Sequence, residues 1–199
     1  MRMREWALAA HLLLFGAVSA CLALAAEARA SVSIAVSWDA LLRESVAAAF
    51  VTPVEGRSVW EAGRIVTYTR VHVDKQVAGA LSASEDPWIR TLGGVVGTIG
   101  QRVEGEAVLA PGYQALVFMG AGQAGTYHVT ARAQGQFPVV TTGASGPRVI
   151  RANAAGLLLK PTSAPESGGA RLAGDVLHDR AVEDAARDIA ADWKRAHAN

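Results

Sequence analysis

Between Gly63 and Val77 apolar and polar positions alternate: Ile65, Thr67, Thr69, Val71 and Val73 share one face, while Arg64, Tyr68, Arg70, His72 and Asp74 fill the other. A period of two predicts a strand with one face toward a core and one toward solvent. Further strands are predicted at Trp88–Leu92, Glu106–Leu109, Gln114–Met119, Thr126–Ala133, Gln136–Val140, Arg148–Arg151 and Leu157–Lys160. Turn-forming residues separate them at Gly93-Gly94, Pro111-Gly112, Gly120 to Gly125, Gly135 and Gly143 to Pro147. Upstream, Val46 to Val54 is a continuous apolar run that suits a buried strand ended by Pro53 and Glu55-Gly56. Ahead of it, Ser37 can cap a short helix whose apolar spacing runs through Trp38, Leu41, Leu42 and Val46. Many short strands, glycine turns and no interleaved long helices predict a mainly β fold, a small antiparallel OB-like barrel.

Past Lys160 the pattern changes twice. Pro161 to Gly169 has too little apolar surface to fold and predicts a flexible linker over 161–174. Beyond it, Val182, Ala185, Ala186, Ile189 and Trp193 form one helical stripe, with acidic residues early and Lys194 and Arg195 late, matching the helix dipole. An amphipathic C-terminal helix is expected within 175–199. Its stripe is mostly alanine, which favours docking of Ile189 and Trp193 on the barrel over reaching for a partner.

The first thirty residues read differently. Arg2 and Arg4 precede an apolar run from Trp6 to Ala26 and a small-residue site at Ala28-Arg29-Ala30, the order of a secretory signal. The expected division is therefore a signal peptide at 1–30, a barrel domain at 31–160, the linker, and the helix. A periplasmic or secreted bacterial location follows. A second outcome is lipid anchoring, since Val18-Ser19-Ala20-Cys21 resembles a lipobox; only a lipidated Cys21 or a retained signal would bring the chain to a membrane. Cys21 is the sole cysteine, so cleavage after Ala30 leaves no thiol and no disulfide.

Charge narrows the partners. Removing residues 1–30 takes away three arginines and two glutamates and leaves sixteen basic and sixteen acidic side chains. Nucleic-acid binders carry a basic excess to neutralise phosphates, so no nucleic acid is expected. Sixteen arginines against three lysines, in an alanine-rich chain, suggest a GC-rich bacterial genome.

Candidate chemistry is sparse. His72 and His128 sit in predicted strands away from any H-x-x-x-H spacing, so no metal site is expected. Gly143-Ala144-Ser145-Gly146-Pro147 lacks the last glycine of a nucleophile elbow and reads as a turn. Glu104 and Glu106 flank Gly105 in what reads as a turn entering a strand. Gly93 to Gly100 lacks the Lys-Ser/Thr ending of a phosphate loop and reads as a wide connection or bulged strand. No catalytic residue, cofactor or enzymatic activity is therefore expected. Tyr68, Arg70 and His72, on the predicted outward face of the longest strand, are the candidate contact residues.

Gly93-Gly94, Gly97, Val103-Glu104-Gly105, Pro111-Gly112-Tyr113, Leu116-Val117-Phe118 and Tyr127 to Phe137 together resemble a group of uncharacterised exported bacterial barrel proteins. More distantly, the layout is similar to the netrin-like, OB-type barrel of tissue metalloproteinase inhibitors. That resemblance implies a five-stranded closed barrel and protease inhibition. Those inhibitors chelate zinc through an N-terminal cysteine, whereas cleavage here leaves Ser31, so the fold is the part expected to carry over. The expected function is an exported non-enzymatic binding or accessory module whose ligand the sequence does not name, an extracytoplasmic protein being the candidate partner, with a protease inhibitor or protease-associated factor as the alternative.

Overall fold

The computed structural model describes residues 32–81, 86–143, 146–153, 157–159 and 171–198. The leader with Cys21 and most of the expected linker lie outside them. Residues 31–199 form one compact unit.

A closed five-stranded barrel stands at its centre, built from β2 (Ala47–Glu61), β3 (Arg64–Gly79), β4 (Trp88–Leu92), β7 (Ala115–Ala121) and β8 (Tyr127–Val129). The order around it is β7-β2-β3-β4-β8, and β8 returns to β7 to close the ring. All pairs are antiparallel except β4 with β8. Closure demands bending, and β2 supplies it through register shifts at Ala48/Ala49, Phe50/Val51 and Pro53/Glu55. Pro53, read from sequence as a stop, sits at the last of these. β2 pairs with β7 only over Ala47–Val51, so beyond that point one edge is open and a missing N–H costs nothing. The strand therefore continues to Glu61 and forms with β3 a long hairpin turned by Ala62 and Gly63.

Outside the barrel, β9 (Gln136–Thr141) and β10 (Arg148–Ile150) extend the sheet from β7, while β1 (Val32–Ile34) pairs in parallel with β11 (Leu157–Leu159). A short hairpin, β5 (Gly94–Val96) and β6 (Ile99–Gln101), accounts for the glycine run. Gly94 approaches the β2–β3 hairpin so closely that a Cβ would lie 2.3 Å from both Ser58 Oγ and Thr67 Oγ1. The glycine is required for packing rather than for holding a phosphate.

Two cores share the strands. One fills the barrel with Ala49, Val51, Val71, Ile89, Val117 and Met119. The other lies between the outer face of β2, β7, β9 and β10 and three helices: α1 (Trp38–Glu44), α2 (Ala173–Leu177) and α3 (Val182–Ala196). Phe118 is its centre, meeting Trp38 edge-on at 5.8 Å and Phe137 at 6.0 Å. Ser37 caps α1 as expected, its Oγ accepting from Ala40 N–H at 3.2 Å. α3 buries Val182, Ala185, Ala186 and Ile189, the stripe read from sequence, and Trp193 packs beside them. The segment 171–174, placed in the linker by composition, is already docked: Trp38 N–H donates to Arg171 C=O at 2.7 Å and Ala173 N–H to Val36 C=O.

One predicted strand is not a strand. Glu106–Leu109 does alternate in burial, but it belongs to the irregular stretch 102–114 that inserts Ala107 and Leu109 into the barrel interior as a plug. Its backbone is satisfied by a side chain: Gln136 accepts from Val108 N–H at 3.0 Å and donates to Val108 C=O at 2.6 Å.

Candidate functional site

Helices cover the outer face of β2 and β7, and α3 also reaches the end of β3 at Val77 and Ala78; among the described residues no α-helix packs on the outer face of β3 around Tyr68, Arg70 and His72 or on that of β4 and β8. One row of directly paired residues crosses it: Arg57, Tyr68, Arg90, His128 and Gly120, on β2, β3, β4, β8 and β7. The predicted contact residues Tyr68, Arg70 and His72 point out of this face, and each has a partner. Tyr68 Oη donates to Glu61 at 2.8 Å. Arg70 bridges Glu55 at 2.9 Å and Asp86 at 3.3 Å, and Asp86 lies 3.1 Å from His72 Nδ1. Arg90 completes the first group, donating to Glu61 at 2.7 Å. These are exposed or half-exposed pairs that order the face more than they stabilise it. The Arg90 hydrogen bond, and then that from Tyr68, hold the Glu61 carboxyl below the usual glutamate range, while Glu61 raises Arg90 further.

At the end of this face, next to the β2–β3 turn, lies a hollow of about 410 Å³ bordered by Glu61, Arg64, Arg90, Glu106, His128 and Arg132. The residues come from four separate stretches of chain, so no local motif announced them. Glu106 is held by its neighbours in the plug, where Ala133 N–H donates to Gly105 C=O at 3.1 Å and Gln136 grips Val108. Its side chain is only 9% exposed. Burial pushes its carboxyl above the usual glutamate range, against the opposing pull of Arg132 and the N–H groups of Ala107 and Leu92. The Arg132 guanidinium lies 3.9 Å from it, too far for a hydrogen bond. Arg64 has no side-chain ion pair or hydrogen bond among the described residues. His128 stands over Gly120, where a Cβ would come within 2.4 Å of its Nε2; only glycine leaves the imidazole that position.

Backbone conformation marks the same place. Ala131 and Arg132 have φ of 54° and 56°, and Ala62, also on the hollow's border, has 47°. Non-glycine residues pay roughly 1 kcal/mol or more each for such a conformation and hold it only where surrounding contacts demand it. A second hollow, of about 700 Å³, adjoins the first at Leu92 and Glu106 and is lined by Gly93, Gly94, Val95, Val103 and Val108.

Sequence reasoning assigned His128 to an ordinary strand face and Glu106 to a turn entering the predicted strand Glu106–Leu109, and did not single out Arg64, Arg90 or Arg132. The available signal was the pair of charged residues flanked by apolar ones, Arg90 within Trp88–Leu92 and Glu106 before Ala107, which the strand pattern alone reads as solvated. Among the described residues no group of three His, Cys, Asp or Glu side chains could hold a metal, and no helix is long and apolar enough to cross a membrane. The N-terminus through which the inhibitors act lies outside the described residues. No family model, curated protein or solved structure matches the chain.

Proposed function

We propose that the protein is an exported binding or accessory module of the periplasm or cell exterior, and that its contact surface is the outer face of β3, β4 and β8. The observation that carries this is the unequal covering of the barrel: three helices bury the outer face of β2 and β7 and the end of β3, while the stretch beyond keeps Tyr68, Arg70, His72, Arg90 and His128 exposed or half-exposed in ordered positions. Small barrels of this type commonly bind through a sheet face and its bordering loops. Export rests on the charged, apolar and small-residue order of positions 1–30. An intact mass lacking those residues supports it, and a diacylated Cys21 would instead make the module membrane-anchored.

The surface is tested by placing a photo-crosslinking residue at Tyr68 or His72, and as a control at Glu183 on the exposed side of α3, in producing cells. A discrete cross-linked partner from the first two positions and none from the third is the expected result. Cross-links from Glu183 alone, or turnover by the purified protein in a hydrolase panel, would overturn the reading.

A further inference from the structure

The hollow beside the β2–β3 turn joins features that ordinary solvated surface does not combine. Among the described residues the Arg64 guanidinium has no ion pair and that of Arg132 only a long one, 3.9 Å from Glu106, while a third, on Arg90, is already neutralised by Glu61. Arg132 is presented from two consecutive left-handed residues, a conformation glycine would adopt at lower cost. His128 is aimed by the absence of a side chain at Gly120. Positive charge left over inside a concave site calls for an anion, and the planar fork of arginine fits oxygen pairs.

Glu106 decides which anion. Its carboxyl stands at the pass between the two hollows, nearly shielded from water. An ionised Glu106 repels a phosphate dianion about twice as strongly as a monoanion, so a single negative charge met by Arg64 and Arg132 is the better fit, with Glu106 accepting or donating a hydrogen bond to the group next to it. The larger hollow beyond combines glycine backbone and valine side chains with Gln101, Asn153 and the mutually paired Arg102 and Glu104, which suits a continuation of the ligand that is polar but carries no net charge.

We infer that this pair of hollows binds a carboxylate-terminated ligand, with the carboxylate between Arg64 and Arg132 and a neutral body running past Glu106 into the larger space. The inference rests on the binding-module reading and names the ligand chemistry for it. Two sources share that chemistry: the C-terminal carboxylate of a peptide, and a free sugar acid.

The test is an NMR titration of the full chain with acetyl-Ala-Ala, galacturonate, acetyl-Ala-Ala amide and inorganic phosphate. At least one acid is expected to shift the amides of Arg90, Leu92, His128 and Val129, and the tighter of the two identifies the source. Arg132→Gly removes the guanidinium while relieving the left-handed backbone. It should therefore keep or raise Tm and weaken the acid roughly tenfold or more. Arg64→Ala, at the exposed start of β3, should weaken it likewise. No shift with either acid overturns the inference, as does an amide that binds as well as its acid, phosphate that binds more tightly than both, or unchanged affinity in the two variants. If the acids fail while the cross-links from Tyr68 and His72 persist, this inference falls and the binding-module reading stands. If the cross-links are absent, both fall.

Discussion

At the scale of single residues, Glu106 gives the most direct link between burial and behaviour. Because its carboxyl titrates above the unfolded value, the folded chain holds the proton more tightly than the unfolded one. The stability this contributes is complete below the ordinary glutamate range and is lost as pH rises through the raised value. Glu106→Gln stays uncharged at every pH, so urea unfolding of that variant should show a higher midpoint at neutral pH than the native chain and a flatter pH profile. Glu61 acts in the opposite sense: held low by Arg90 and Tyr68, it contributes above the unfolded value and loses that contribution as pH falls. Gly120→Ala isolates His128. The imidazole is exposed and can swing aside, so stability should change by about 1 kcal/mol or less while the His128 ring resonances move. Neither residue was legible in the sequence. A glutamate beside a glycine and a histidine in an alternating run acquire meaning only when strands distant in the chain bring them to one hollow.

Among the elements, burial pattern separated what could be read from what could not. Ala47–Val51 and Ala115–Gly120 are buried at every position because helices lie on one side of them and the barrel interior on the other. The continuous apolar run after Val46 already carried that information, just as the alternation of β3 announced a strand covered on one side only. The plug misled because Ala107 and Leu109 alternate like strand residues, yet Gln136 takes the hydrogen bonds a neighbouring strand would supply. Besides the buried stripe, α3 is held by a long-range hydrogen bond from Trp38 Nε1–H to Asp192 at 2.6 Å, and the indole that donates it is wholly buried. Asp192→Ala leaves that donor unpaired and should cost about 1–3 kcal/mol in urea denaturation. Phe118→Ala, at the crossing of α1, β7 and β9, removes a filled centre and should cost about 3–5 kcal/mol.

For the molecule as a whole, segments far apart in the chain share one core: α1, ahead of the barrel, packs with α2 and α3, which follow it, on the same outer face. Composition could mark the tail as a helix, but not that it completes the same core, because an alanine-rich stripe fits many surfaces equally. A chain ended before Arg171 would uncover Trp38, Phe118 and Leu177's neighbours at once. It should bind a hydrophobic dye and lose cooperative thermal unfolding, both measurable on the truncated protein.

The parallel contact that closes the barrel rests on two residue pairs, Ile89 with Tyr127 and Arg90 with His128. So brief a zipper is where the ring is expected to part first, and its second tooth is also the rim of the arginine hollow. Breathing there would loosen the grip on a ligand, and a ligand seated there would pin the ring shut, so occupancy should slow amide exchange at Tyr127 and His128 well before it affects the helices.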